Sequence, residues 1–225
     1  NSEPESTTGL AHYFEHLMFK GTSSYGTTNW EKEKPLLDSI SNLFEKYRKI
    51  TDEKKRLDVY KQIDKFSIEA SKFAIPNEYD KMLAEIGAEG TNAFTSNELT
   101  AYINDIPANE LNRWLTLEKN RFGDVTLRLF HTELETVYEE FNMYQDRDQM
   151  RAYTEYSKAM FPKNPLGRDV IGFPEHLKNP SQVNIINFKN TWYVPNNMTI
   201  CLCGDIDMDK TIKMIDETFG TIPSK

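Results

Sequence analysis

The stretch that decides the fold is Gly9-Leu-Ala-His-Tyr-Phe-Glu-His-Leu-Met-Phe19, near the start of the 225-residue chain. Thr7 and Thr8 precede it and Gly21 follows it, in positions where hydroxyl side chains commonly begin a helix and glycine ends one. We therefore predict a short helix here. Because the chain begins at Asn1, only a few residues earlier, we expect an upstream strand and any export signal to lie outside it.

The two histidines of this helix predict a metal site. His12 and His16 are four residues apart, which on a helix brings their imidazoles to one face, about 5–6 Å apart. Glu15 lies between them in angle. A catalytic zinc takes three protein ligands, keeps a position open for water, and needs a nearby carboxylate to accept a proton from that water. The order H-x-x-E-H is the signature of the inverted-motif zinc peptidases, the inverzincins. The alternative is a chance spacing on an amphipathic helix, and a third ligand would decide between the two.

A third ligand is offered by Glu133-Leu-Glu-Thr-Val-Tyr-Glu-Glu140, within a predicted long helix. Residues seven apart on a helix return to the same face after two turns, so Glu133 and Glu140 face one direction. Glu140 could bind the metal while Glu133 orients a histidine, since a carboxylate that hydrogen-bonds a ligating imidazole fixes its tautomer. The alternative is a solvated acidic face, which is our interpretation of Glu135 and Glu139.

The rest of the chain predicts long helices that alternate with short strands, without regular strand–helix–strand units. This pattern indicates an α+β fold with a mainly antiparallel sheet backed by helices. The length indicates a single domain over residues 1–225. The predicted elements are a helical hairpin over 30–75, a β-hairpin over 91–95 and 99–106, a long helix over about 127–144 and a final strand over 198–204. Cys201 and Cys203 lie two apart in that strand, and we interpret them as buried free thiols.

The net charge and the lengths of the apolar runs indicate which classes of partner to expect. The chain has a net charge of −8 and a sequence pI near 5.2. Since no Lys/Arg-rich stretch is long enough to follow a phosphate backbone, we expect no nucleic acid partner. No run approaches the ~20 apolar residues that a membrane helix needs, so we expect no membrane span in these residues.

The motifs resemble the pitrilysin or insulinase type of zinc peptidase, the M16 family, over nearly the whole chain. The matching stretches are residues 9–22, the pair Glu133 and Glu140, Asn164-Pro-Leu-Gly-Arg-Asp-Val-Ile-Gly172 and Tyr193-Val-Pro-Asn-Asn-Met198. The resemblance implies a zinc ion held by His12, His16 and Glu140. It also implies Glu15 as the general base and Glu133 as an outer carboxylate that supports the site.

The resemblance further implies how a substrate binds. Asn92 and Ala93 resemble the edge-strand residues of the family, which pair with the backbone of a peptide substrate, and such pairing holds a peptide extended whatever its sequence. The alternative is that Asn92 is simply a turn residue. In the family a second, related half closes the active site, either in the same longer chain or as a partner subunit. The helical hairpin over 30–75 resembles an insert of bacterial, exported members, which implies a location in the cell envelope.

The expected function is therefore that of a zinc-dependent endopeptidase domain with an M16 half-domain fold. It would hydrolyse unfolded peptides with zinc-activated water and with Glu15 as the general base, and we expect its activity to depend on the second half. Two alternatives stay open at this point. The chain could be a non-catalytic structural or peptide-binding half of an M16 assembly, or a metal-dependent hydrolase that acts on a bond other than a peptide bond.

Overall fold

The computed structural model describes residues 3–4 and 7–224 and has the predicted α+β class. Strands β1 (Glu89–Thr95) and β2 (Thr100–Asp105) form an antiparallel sheet, the one sheet of the described residues, so helices account for more of the fold than predicted. The helices are α1 (Leu10–Leu17), α2 (Trp30–Tyr47), α3 (Glu53–Ser71), α4 (Glu78–Glu85), α5 (Leu111–Gly123), α6 (Phe130–Gln145), α7 (Asp148–Met160), α8 (Pro174–Leu177), α9 (Gln182–Trp192) and α10 (Met208–Thr218). Within the described residues, no helix is both long enough and apolar enough to cross a membrane.

The predicted helical hairpin is present as α2 and α3, which pack against each other. The Asn29 side chain begins α2 by accepting a hydrogen bond from the backbone N–H of Lys32, and Asp52 begins α3 in the same way through Lys55. Side-chain oxygens at this position satisfy N–H groups that have no partner inside the helix. The apolar faces of the hairpin enter the main core through Ile40, Phe44, Val59 and Ile63.

One face of helix α1 packs into that core. Phe14, Leu17 and Met18 are almost completely buried, whereas His12 and His16 keep part of their surface exposed. The same helix therefore supplies both core packing and the predicted metal site. A smaller apolar cluster lies between α4 and α5 and consists of Tyr25, Tyr79, Leu83, Ile86 and Leu117.

A buried ion pair ties the hairpin to the elements that carry the predicted ligands. Arg128, just before α6, donates from Nε to Glu33 Oε1 (2.6 Å) and from Nη2 to Glu33 Oε2 (2.9 Å). Its guanidinium also donates to the backbone oxygens of Lys20 (2.8 Å) and Thr22 (3.0 Å), in the segment after α1. Arg128 thus links α2, the end of α1 and the start of α6 through one side chain.

The threonine hydroxyls predicted to cap α1 do not cap it. The carboxylate of Glu3 accepts hydrogen bonds from the backbone N–H of Gly9 (2.9 Å) and of Ala11 (2.6 Å) instead. Thr8 bonds to a ring nitrogen of His176, with Oγ1 2.8 Å from Nδ1. The prediction failed because the cap comes from a residue several positions upstream, beyond the local pattern that marks an ordinary N-cap.

The predicted final strand and the buried thiols are also wrong. Residues 198–203 belong to no strand of the described chain, and Cys201 and Cys203 are free and exposed. The described residues place no strand beside this segment, so its backbone has no neighbouring strand with which to pair. Sequence pattern alone identified an apolar run but could not provide its partner.

Candidate metal centre

The structure brings His12, His16 and Glu140 together. The two histidines come from α1 and the glutamate from α6, two helices that pack against each other where the Tyr13 hydroxyl donates to the backbone oxygen of Phe130 (2.5 Å). Glu140 Oε2 lies 3.6 Å from His12 Nε2 and 3.6 Å from His16 Nε2. The three potential ligand atoms all lie within 4.8 Å of one another.

This arrangement fits a zinc ion. Zinc bonds of about 2.0–2.2 Å in tetrahedral geometry place neighbouring ligand atoms about 3.3–3.5 Å apart, close to the 3.6 Å found here. Two imidazole nitrogens and one carboxylate oxygen form the donor set of many catalytic zinc sites, which keep a fourth position open. Burial, with a smaller effect from the charge of His16, lowers the pKa of His12 to about 4 and so favours the neutral imidazole that binds metals.

Glu133 holds His16 from the side away from Glu140. Its Oε1 lies 2.9 Å from His16 Nδ1, and its Oε2 lies 2.6 Å from Lys20 Nζ. Burial raises the pKa of the Glu133 carboxyl, but the hydrogen bonds and charges of His16 and Lys20 outweigh burial and lower it overall. The charged carboxylate accepts from His16 Nδ1, which leaves Nε2 free to face Glu140.

The charges around His16 act in the opposite direction on its own ring. Burial lowers the pKa of His16, but the hydrogen bond and the charge of Glu133, followed by the charges of Glu140 and Glu15, raise it overall. The ring thus lies in a strongly acidic surrounding. Such a surrounding favours a cation, whether a proton or a metal ion.

Glu15 lies beside the predicted ligands and is only 7% exposed. Burial raises the pKa of its carboxyl, while the hydrogen bond from Thr95 opposes that rise. The Thr95 hydroxyl donates to Glu15 Oε2 at 2.5 Å. A carboxylate whose pKa is raised toward neutrality is a better proton acceptor than an ordinary surface glutamate.

An open cavity of about 740 Å³ surrounds these groups. One wall is β1, and another is formed by the end of α6 with Met150 and Tyr153 of α7. The volume is within the range of sites that hold extended organic ligands. Water and a substrate can therefore reach the metal centre from the surface.

Asn92 and Ala93 lie within β1, so the alternative of a turn at Asn92 is wrong. Asn92 is opposite Ile103 and Ala93 is opposite Tyr102 in the pairing with β2. The backbone N–H of Ala93 donates to the Asn92 side chain (2.9 Å). Within the described residues, the second edge of β1 carries no strand, and it borders the cavity.

Two contacts of the site were missed from the sequence. Lys20 is four residues after His16, and this helical spacing could have indicated a shared partner. The Thr95 hydrogen bond to Glu15 carries no local signal, because it depends on how the β-hairpin docks against α1, 80 residues away along the chain.

Comparison with known proteins shows similarity to zinc proteases. A family model described as the Peptidase M16 inactive domain matches residues 183–225, a segment that includes none of the metal-centre residues. An uncharacterized zinc protease of Mycobacterium leprae is 25% identical over 97% of this chain and 38% of its own length. Other matching curated proteins also carry zinc protease names.

Solved structures confirm the fold. The crystal structure of a protease from Helicobacter pylori matches with a TM-score of 0.74 and 21% identity, over 100% of this chain and 43% of that chain. The periplasmic protease PqqL from Escherichia coli matches with a TM-score of 0.70 and 19% identity, over 100% of this chain and 20% of that chain. The chain thus spans less than half the length of these proteins, and it is similar in sequence and fold to zinc proteases of the M16 type.

Proposed function

We propose that residues 1–225 are the metal-binding, catalytic part of a zinc-dependent endopeptidase. The observation that carries the proposal is the convergence of His12 Nε2, His16 Nε2 and Glu140 Oε2 beside Glu15, in a cavity open to solvent. Each of these groups has a distinct role in one reaction, the hydrolysis of a peptide bond. The combination is far more specific than any one of them.

His12, His16 and Glu140 would hold the zinc, and Glu133 would fix the orientation of His16. Zinc bound there would lower the pKa of a water molecule and polarise the carbonyl group of the substrate. Glu15 would take a proton from the attacking water and pass it to the amine that leaves. Burial of Glu15 supports this role because it raises the pKa of the carboxyl and so strengthens the base.

A peptide in extended conformation is the proposed substrate. The free edge of β1 at Asn92 and Ala93 could pair with its backbone, and that edge lies on the wall of the same cavity. Pairing requires an extended chain, so unfolded peptides are favoured over folded proteins. The Ala93 N–H, now bonded to the Asn92 side chain, would exchange that partner for a substrate carbonyl.

The complete protein would act with a second M16 half, in the same chain or as a partner subunit. The relatives named above extend well beyond the region that this chain matches, which supports such an assembly. A location in the cell envelope is proposed from one neighbour alone, the PqqL protein described as periplasmic. The single domain over 1–225 and the status of α2 and α3 as an insert are likewise proposals.

A second candidate is a non-catalytic half that binds peptides. The match of residues 183–225 to a model described as an inactive domain favours it. The matched segment, however, lies apart from residues 12–16, 133 and 140, and the donor set is complete. Loss of catalysis would remove the pressure to keep all of these groups together, so we favour the catalytic function.

Zinc content and peptide cleavage together test the proposal. We expect about one zinc per chain by elemental analysis, and its loss in His12→Ala and Glu140→Ala. The complete protein should cleave an unfolded peptide, and the same two variants should not. Zinc binding without cleavage by the complete protein would favour the peptide-binding half, and undiminished zinc in both variants would place the metal elsewhere.

A further inference from the structure

The Thr95 hydroxyl lies in the site but has no role in the proposed reaction. It lies at the end of β1, and its cross-strand partner is Thr100 at the start of β2. The short turn between the strands is closed by the Ser96 N–H, which donates to the backbone oxygen of Leu99 (2.8 Å). The hairpin thereby holds the two threonine hydroxyls side by side, with their Oγ1 atoms 3.1 Å apart.

A second hydrogen-bonded pair of hydroxyls, from Tyr102 and Tyr193, lies near Glu15 as well. Thr95 donates to Glu15 and Thr100 bonds to Thr95, while the Tyr193 hydroxyl lies 3.0 Å from that of Tyr102. Tyr193 directly follows α9, so its hydrogen bond with Tyr102 connects the β-hairpin to a distant part of the fold. Both tyrosines pack against the ring of Phe122, which fixes their positions.

The Glu15 carboxylate determines which threonine hydroxyl donates in each of these hydrogen bonds. An ionised carboxylate can only accept, and each hydroxyl has a single proton to donate. Since Thr95 gives its proton to Glu15, it must accept from Thr100. Both threonine hydroxyls therefore donate toward the carboxylate, and aligned donors of this kind reinforce one another.

Thr95 hydrogen-bonds to one carboxylate oxygen of Glu15 and leaves the other oxygen available to accept a proton. Within the part of the chain that the structure describes, Glu15 Oε2 accepts the hydrogen bond from the Thr95 hydroxyl. Rotation of the carboxylate would break that bond in a site that is 7% exposed, where water is a poor substitute. Oε1 is thus held in a fixed direction, and Glu15 lines the cavity in which the substrate would react.

We propose that Thr95 is a positioning residue, which holds the Glu15 carboxylate in the orientation needed to take a proton from the attacking water, supported by Thr100. This inference rests on the proposed function, because it assigns Thr95 a role in the same reaction. The side-chain hydrogen bonds that the described residues give Thr95 are to Glu15 and Thr100. Its effect would pass entirely through Glu15.

The decisive variants are Thr95→Val and Thr95→Ser in the complete protein. Valine keeps the shape of threonine and removes the hydroxyl, whereas serine keeps the hydroxyl and removes a methyl group. For Thr95→Val we expect kcat to fall about 10- to 100-fold while KM stays within about twofold, since misplacement of a catalytic group lowers the rate of the chemical step. For Thr95→Ser we expect kcat within about threefold of wild type. Zinc content should be the same in both variants.

A matched control separates this effect from a loss of stability. Thr136 is exposed on α6 and donates to the backbone oxygen of its own helix, so Thr136→Val should leave kcat unchanged. Each variant is also checked for its melting temperature. An unchanged kcat in Thr95→Val, an equal loss in Thr95→Ser, or a loss that appears only in KM would overturn the inference.

Glu15→Gln measured in the same assay distinguishes the inference from the function on which it rests. If Glu15→Gln is inactive while Thr95→Val has wild-type kcat, the inference fails and the proposed function stands. If Glu15→Gln retains activity, the proposed function fails and the inference falls with it.

Discussion

Glu133 offers a quantitative test of how the metal centre is supported. Its two oxygens accept from two cationic or polar donors at once, at 2.9 Å from His16 Nδ1 and at 2.6 Å from Lys20 Nζ. We consider the change Glu133→Gln, which keeps the length and shape of the side chain. The amide has one accepting oxygen and no charge, so it cannot serve both donors.

The expected loss follows from these contacts. A hydrogen bond to a charged group contributes about 1.5–3 kcal/mol, and about 1.4 kcal/mol corresponds to tenfold in affinity. Loss of one such bond therefore predicts a zinc Kd about 10- to 100-fold higher, the range typical of changes behind a ligating histidine. The near-complete burial of Glu133 leaves water little access to replace the lost bond.

Competition with a chromophoric zinc chelator measures the Kd directly. Glu135→Gln is the matched control, since it removes the same charge from the same helix at a side chain that is 65% exposed. We expect its Kd to stay within about twofold of wild type because exposed charges interact weakly through water. An unchanged Kd in Glu133→Gln would refute the supporting role, and an equal loss in Glu135→Gln would show that net charge alone is responsible.

Further predictions concern stability and the metal. Arg128→Met leaves Glu33 buried without its partner and should lower the free energy of unfolding by about 3–5 kcal/mol in urea denaturation. The exposed control Arg113→Met should cost less than about 1 kcal/mol, and equal losses would contradict a special role for the buried pair. Asp52→Ala removes the N-cap of α3 and should cost about 1 kcal/mol, measured as a lower melting temperature; an unchanged melting temperature would mean that α3 does not depend on this cap. A chelator should abolish peptide cleavage by the complete protein and added zinc should restore it, whereas cleavage that persists in the metal-free protein would exclude a zinc mechanism.

Local patterns predicted much of the fold. The helical hairpin, its break near Asp52, the β-hairpin and the helix of Glu140 all depend on caps, turns and periodicities within a few residues. Glu140 was identified because seven residues from Glu133 correspond to two helical turns. The sequence does not show that Glu140 lies next to His12 and His16, whereas the structure does. Their role as metal ligands stays a prediction.

Features that depend on distant parts of the chain were not predictable. Glu3 caps α1 from outside the usual N-cap position, and the apolar run of 198–204 has no strand beside it in the described residues. The bond from Thr95 to Glu15 requires the β-hairpin to dock on α1 in one register. Sequence periodicity assigns each element a face but does not determine which other element meets it.

The central claim is that Glu15 is the base of a zinc-dependent peptidase, and the Glu15→Gln variant of the complete protein tests it most directly. The measurement is the cleavage rate of an unfolded peptide together with the zinc content of the same sample. We predict a loss of at least about 100-fold in kcat at unchanged zinc content, because the amide keeps the shape of the site but cannot accept the proton. A variant that retains its zinc and still cleaves at the wild-type rate would contradict the account.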